Sequence, residues 1–169
     1  MKKLNTNKPG FTIIEVVLVL AIAGLIFMMV FIAYPALRRS QRDTQRQNDV
    51  SRVVTAIQNY EANNRGDTPK HGKEADFVDK YLKVGSDGAA DSFEDPDGSA
   101  YTLNIVDCGT PDAGKCAEQP ADSFSGQKHT MKVITKAVCE GEVVKESTGA
   151  RNIAVTYKKE GGGVICQSV

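Results

Sequence analysis

A chain of 169 residues, 41% of them hydrophobic and 25% charged, has room for one modest folded domain once a membrane segment is set aside. Its 21 basic residues balance its 21 acidic ones, which argues against a general nucleic-acid-binding surface driven by net charge. All four cysteines follow residue 107, beyond the N-terminal apolar run, and there they suit an oxidising compartment.

Met1 to Pro9 is short and polar and carries Lys2, Lys3 and Lys8, which fits retention on the cytoplasmic side of a membrane. From Val16 to Tyr34 there are 19 consecutive residues without a charge, enough at ~1.5 Å per residue to cross a hydrocarbon core of ~30 Å. Arg38, Arg39, Arg42 and Arg46 follow that run, so charge alone does not orient it. Glu15 stands just before the run, and no Lys, Arg or His lies between Phe11 and Leu37 to pair with it. A carboxylate at the edge of a membrane helix is costly and is read as functional by default. Two plainer readings stay open at this point. Ala21-Ile22-Ala23 is a nominal signal-peptide cleavage site, but a cut there would strand the apolar residues Gly24 to Ala33 at a soluble N-terminus. A simple single-span anchor explains the run and leaves Glu15 and the Gly10–Phe11 junction as coincidences.

Lys8-Pro9-Gly10-Phe11-Thr12-Ile13-Ile14-Glu15 followed by an apolar helix resembles the class III leader of type IV pilins and of the related pseudopilins of type II secretion and DNA-uptake systems. The resemblance implies that residues 1–10 are a leader, that a prepilin peptidase cuts between Gly10 and Phe11, and that Phe11 is N-methylated. It implies further that Glu15 pairs with the Phe11 amine of a neighbouring subunit as the filament grows. Such an amine is a cation near neutral pH. Within the span, glycine and proline are the two helix weak points. In the family reading the segment near Gly24 unwinds in the filament and Pro35 bends the helix, relatives placing their kink proline nearer the cut, where this chain has Ile32.

Residues 11–37 then form a transmembrane or filament-core helix and residues 38–64 its amphipathic continuation. Val50, Val53, Val54, Ile57 and Tyr60 fall on one helical face, with Arg52, Gln58, Asn59 and Glu61 turned elsewhere. Phe11 to Asn64 as one helix is roughly 80 Å long. Asn63 to Pro69 stacks turn formers and ends it. The stripe predicts a small sheet lying against the C-terminal half of the helix.

Residues 65–169 read as the globular part. Its first portion, 65–100, is loop-rich, with a weakly helical piece at Glu74 to Lys83 whose Phe77, Tyr81 and Leu82 pack inward. Asp87, Asp91, Glu94, Asp95 and Asp97 follow with no intervening base. Calcium takes oxygen ligands from such clusters, and some pseudopilins bind it in this region, so Asp91, Asp95 and Asp97 are calcium candidates. A merely solvated acidic turn is the alternative, since the spacing is not that of an EF-hand. Asp95-Pro96-Asp97-Gly98-Ser99-Ala100-Tyr101 resembles the Asp-Pro-Trp-Gly-x-x-Tyr turn that enters the sheet of many pilins and pseudopilins, with Asp97 in the tryptophan's place. Strands are expected at Tyr101 to Asp107, Thr130 to Cys139, Asn152 to Lys158 and Val164 to Ser168, with a short arm at Glu142 to Glu146. The fold class is therefore α+β: a long N-terminal helix, hydrophobic then amphipathic, packed on a meander of about four antiparallel strands.

Four cysteines permit three pairings. Cys108 with Cys116 would close a short surface loop, and Cys139 with Cys166 would tie the last strand to the sheet. Thiols left free are the alternative. No spacing matches a zinc site, and His71 and His129 are far apart. The chain has no G-x-S-x-G, phosphate loop or H-E-x-x-H, so an enzyme is not expected, and no cofactor beyond calcium. Lys128, Lys132, Lys136, Lys158 and Lys159 with Tyr157 form at most a DNA-contacting strip, scattered strand lysines being more often solubility devices.

The expected function is that of a structural subunit, stored as a single-pass protein in the cytoplasmic membrane and polymerised into an extracellular type IV pilus filament for adhesion, twitching motility or DNA uptake. The partners implied by the resemblance are other subunits, a prepilin peptidase, and an assembly ATPase with its membrane platform. The alternatives are a pseudopilin or minor pilin of a secretion or competence system, and, from another class, a membrane-anchored binding domain that never assembles.

Overall fold

A computed structural model describes residues 10–83, 92–108, 119–124 and 128–169. The chain divides into two compact units, one ending at Arg38 and one spanning Arg39–Val169. One helix, α1 (Ile13–Asn63), contributes to both.

In the first unit α1 is apolar on every side. Its large side chains are exposed throughout, from Ile13 at 85% to Leu37 at 57%. The helix passes through Gly24 and Pro35 without a break. A membrane-length apolar segment therefore stands with its whole circumference available to lipid or to other helices.

The second unit is built on the other half of α1. Val50, Val53, Ala56 and Ile57 are buried and Val54 and Tyr60 partly so, which reproduces the expected stripe. The helix ends as its turn formers dictate. Gly66 N donates to the Glu61 carbonyl at 2.7 Å while Arg65 and Gly66 take positive φ, a Schellman-type stop. After it come α2 (Glu74–Phe77) and, directly, a π-helical turn over Val78–Leu82. Phe77 and Leu82 are buried and Tyr81 half-buried, as expected.

The strands are β1 (Thr102–Asp107), β2 (Gln119–Pro120), β3 (Thr130–Thr135), β4 (Ala137–Glu140), β5 (Val143–Glu146), β6 (Ile153–Lys158) and β7 (Val164–Ser168), with α3 (Ala121–Phe124) after β2. They make two sheets, ordered β1-β3-β6-β7 and β2-β5-β4. The expected α+β class holds, a long helix on a four-stranded sheet that is mostly antiparallel, but the strands do not follow one another as a single antiparallel meander. β1 and β3 run parallel, in register from Thr102 opposite Thr130 to Asp107 opposite Thr135. A parallel neighbour needs a long crossover, and residues 108–129 supply it. The expected strand from Thr130 to Cys139 is likewise two, because Lys136 takes a left-handed conformation, φ 55°, and the chain leaves the first sheet for the second.

The four-stranded sheet is covered on both faces. Leu103, Ile105, Met131, Val133, Val155 and Tyr157 join the α1 stripe in one core, while Val106, Ile134, Ala154 and Val164 join Ala137 and Val144 of the second sheet in another. That is why β6 is apolar almost without alternation. The Cys139–Cys166 disulfide links β4 to β7, 27 residues apart in sequence. Cys108 is also disulfide-bonded; its expected partner Cys116 lies outside the described residues. Replacing Cys139 and Cys166 together by serine should lower unfolding free energy by about 3–4 kcal/mol, the chain-entropy value for a loop of this length, read by urea denaturation.

Candidate processing and assembly site

Two arrangements of polar groups stand out against the apolar helix. The first is at its start. Thr12 precedes the helix, and Glu15 lies in the first turn. Thr12 N donates to Glu15 Oε2 at 3.0 Å and Thr12 Oγ1 donates to the same oxygen at 2.8 Å, while Glu15 N reaches back to Thr12 Oγ1 at 3.4 Å. This is a capping box, in which each residue satisfies a donor that the helix cannot satisfy itself. Glu15 thus has a neutral partner within its own chain in place of a nearby cation. The signal was present as Thr-x-x-Glu. Gly10 and Phe11 lie immediately before the cap, outside the helix and exposed.

The second arrangement lies in the other unit, where α1 meets the strand entry and the β6–β7 hairpin. Arg46 is only 3% exposed. It holds Asp95 with two hydrogen bonds, Nε to Oδ2 and Nη2 to Oδ1, both 2.8 Å. Its Nη1 also reaches Asp43 at 3.0 Å and Glu160 at 3.2 Å. Tyr157 Oη donates to Asp95 Oδ2 at 2.8 Å and Asp97 N to Oδ1 at 3.1 Å. Asp43 accepts the backbone N–H of Glu160 and of Gly161 at 2.9 and 3.0 Å, and Arg42 grips Glu160 at 2.7 and 2.8 Å. One turn further on, Asp49 accepts from Tyr101 Oη at 2.8 Å.

These partners set the charges. Burial alone would raise the Asp95 carboxyl, but the Arg46 guanidinium, the Tyr157 hydroxyl and the Asp97 N–H hold it far below the usual carboxylate range. Burial and then Asp95 push the Tyr157 phenol up. The Arg42 guanidinium foremost, aided by Arg46, holds Glu160 down at about 2.

Each expected site residue can now be placed. Asp95 is not a solvated acid of an open turn; it is fully buried beneath Arg46. Asp97 and His129 lie beside it, with His129 Nε2 at 3.4 Å from Asp97 and Nδ1 at 3.7 Å from Asp95. Ligand atoms of Asp95, Asp97 and His129 lie within 4.8 Å of one another, but a cation shared by them would have to compete with the guanidinium for Asp95. Asp91, the third calcium candidate, lies outside the described residues. Tyr157 faces the core, only 3% exposed, and does not join the lysines as a stacking surface. Lys158 instead meets Asp122 at 3.1 Å and Lys128 meets Asp97 at 3.5 Å. Arg46 itself was legible only as one of four basic residues after the span.

With the geometry in hand, the comparisons fall on the first site. The family model described as the prokaryotic N-terminal methylation motif matches residues 5–31. No curated protein and no solved structure gives a significant match to the chain. The matched segment, which includes the Gly10–Phe11 junction and the start of the apolar helix, is similar to the class III prepilin leader and supports a type IV pilin-like or pseudopilin precursor. Such a leader implies processing by a prepilin peptidase and assembly into a polymer, and with the apolar helix it fits membrane anchoring before assembly.

Asp95→Asn, which leaves Arg46 buried against a neutral partner, should cost about 3–5 kcal/mol in unfolding free energy. The Asp95 carboxyl is depressed in the folded state, so its contribution is complete above the ordinary value of about 3.9 and drains away as pH falls below it. Urea titrations from neutral pH down to about pH 3 should show a falling stability below about pH 4 that flattens in the variant.

Proposed function

We propose that this chain is a structural subunit of a type IV pilus-like filament: held in the cytoplasmic membrane by α1, cut between Gly10 and Phe11, methylated on Phe11, and added to an extracellular polymer. The observation that carries this reading is the conjunction at the helix start. An apolar helix exposed on all sides begins with a carboxylate one turn from the junction that the leader motif marks for cutting. In a bundle of such helices the apolar surfaces bury one another, and the Glu15 carboxylate exchanges its Thr12 donors for the new amine of a neighbouring Phe11. A cation and an anion brought together in low dielectric attract strongly and penalise any other register. The subunit contact is head-to-tail, so addition continues as a helix instead of closing into a ring. Gly24, a helix weak point with nothing packed near it, is where strain between neighbours would be taken up.

The partners in this reading are other subunits, the prepilin peptidase, and an assembly ATPase with its platform. The role is mechanical, without catalysis and without a cofactor. Because Arg46 already neutralises Asp95, calcium or its removal by chelator should leave the thermal midpoint unchanged; a calcium-dependent rise would place a cation at Asp95, Asp97 and His129.

Glu15→Leu tests the reading directly. In cells producing the variant, the processed chain should accumulate in the membrane fraction while the fraction sheared from the surface disappears, both followed by immunoblot. Filaments of ordinary abundance from the variant would overturn the assembly role of Glu15.

A further inference from the structure

At the far end of the second unit's stretch of α1, three rings meet. Tyr60 stands edge-on to Phe77 and to Tyr81, with centroids 5.7 and 5.3 Å away, and Phe77 and Tyr81 stack at 5.6 Å with planes 20° apart. All three line a pocket of about 320 Å³, Phe77 from the core, where it is buried, and Tyr60 and Tyr81 half-buried. That is the size of a small-molecule site, and an aromatic wall with a few convergent polar groups is its usual make-up. Asn64 Nδ2 donates to Tyr81 Oη at 3.3 Å, which leaves the phenolic proton free to be donated onward.

Tyr81 sits in the π-helical turn Val78–Leu82. Such turns are rare and recur at functional sites. Here the wide turn lets consecutive residues serve different ends: Leu82 is fully buried, and Tyr81 keeps its stack on Phe77 while remaining open to the pocket.

The rim decides the ligand class. Lys70, Lys73, Lys80, Asp67 and Asp76 line the pocket as well, Lys73 Nζ lying 3.6 Å from Asp76 and Lys80 Nζ 5.6 Å from the centre of the Tyr81 ring. A phosphodiester strand needs a run of cations along its path, and two carboxylates set among three ammonium groups leave a surplus of only one and repel it. An uncharged, polyhydroxylated ligand uses both signs, its hydroxyls accepting from ammonium groups and donating to carboxylates while its C–H face lies on the rings. We propose that this pocket binds a neutral saccharide. Tyr60 and Tyr81 supply the apolar wall, and Asp76 and Lys80 hold hydroxyls at the rim. The pocket lies wholly within Arg39–Val169.

Saturation-transfer NMR on the full chain in phosphocholine micelles tests this, with glucose, galactose, mannose, N-acetylglucosamine and N-acetylgalactosamine as probes and oligothymidylate as the anionic comparison. Transfer to at least one saccharide is expected, with Asp76→Asn and Lys80→Ser each weakening it about tenfold, as befits one lost charged hydrogen bond. Both side chains are exposed, so the thermal midpoint should not move and a folding defect would not be mistaken for lost binding. No transfer to any saccharide at millimolar concentration would overturn the proposal. So would affinity unchanged in both rim variants, or transfer confined to oligothymidylate, which would assign the pocket to nucleic acid instead.

Discussion

One helix has to satisfy two solvents, and the chain is arranged around that constraint. Up to Leu37, α1 offers apolar side chains on every side and no polar face on which to rest in water. Hydrocarbon, or a bundle of like helices, is the environment in which such a segment is stable, and in either one every backbone donor must find a partner within protein. The first turn is where a helix cannot provide its own, and there Thr12 and Glu15 close a capping box. The acid that looks costly beside a membrane span therefore has structural work to do even in a lone subunit. Its carboxylate is held in place by the N–H and the hydroxyl of Thr12.

Past Arg39 the same helix follows the opposite logic. One stripe enters a core and the rest is wet. A purely apolar stripe could slide along a sheet by a turn at modest cost, because aliphatic contacts are tolerant of register. The buried Arg46 removes that freedom. Its fork fits the Asp95 carboxylate in one geometry, and Asp95 in turn fixes Tyr157 and the Asp97 backbone. Asp43 and Arg42 hold the hairpin that follows β6 through Glu160 and Gly161. Strand entry, sheet centre and last hairpin are thus all referred to one and a half turns of helix.

Local chemistry made much of this legible. The α1 stripe, the Asn-Asn-Arg-Gly stop, β7, the Cys139–Cys166 bridge and the inward Phe77 and Leu82 follow from periodicity, turn residues and cysteine placement, each a short-range signal. What stayed hidden depended on partners far apart in sequence. The turn motif marks Asp95 as the start of a turn but not as a buried ion; that depends on Arg46, 49 residues earlier. The parallel pairing of β1 with β3 depends on a crossover through a segment with no strong pattern, and the corner at Lys136 rests on a left-handed residue that is not glycine. At the helix start the leader motif drew attention to the charge of Glu15 and away from the threonine three residues before it.

In the proposed function the exposed helix is a processed filament segment and not a permanent anchor. Intact mass spectrometry with N-terminal fragmentation, on protein sheared from the cell surface, decides it most directly. A chain beginning at methylated Phe11, lighter by two hydrogens for each disulfide, is the predicted result. A sheared chain that still begins at Met1, or one that begins at Gly24, would contradict the account.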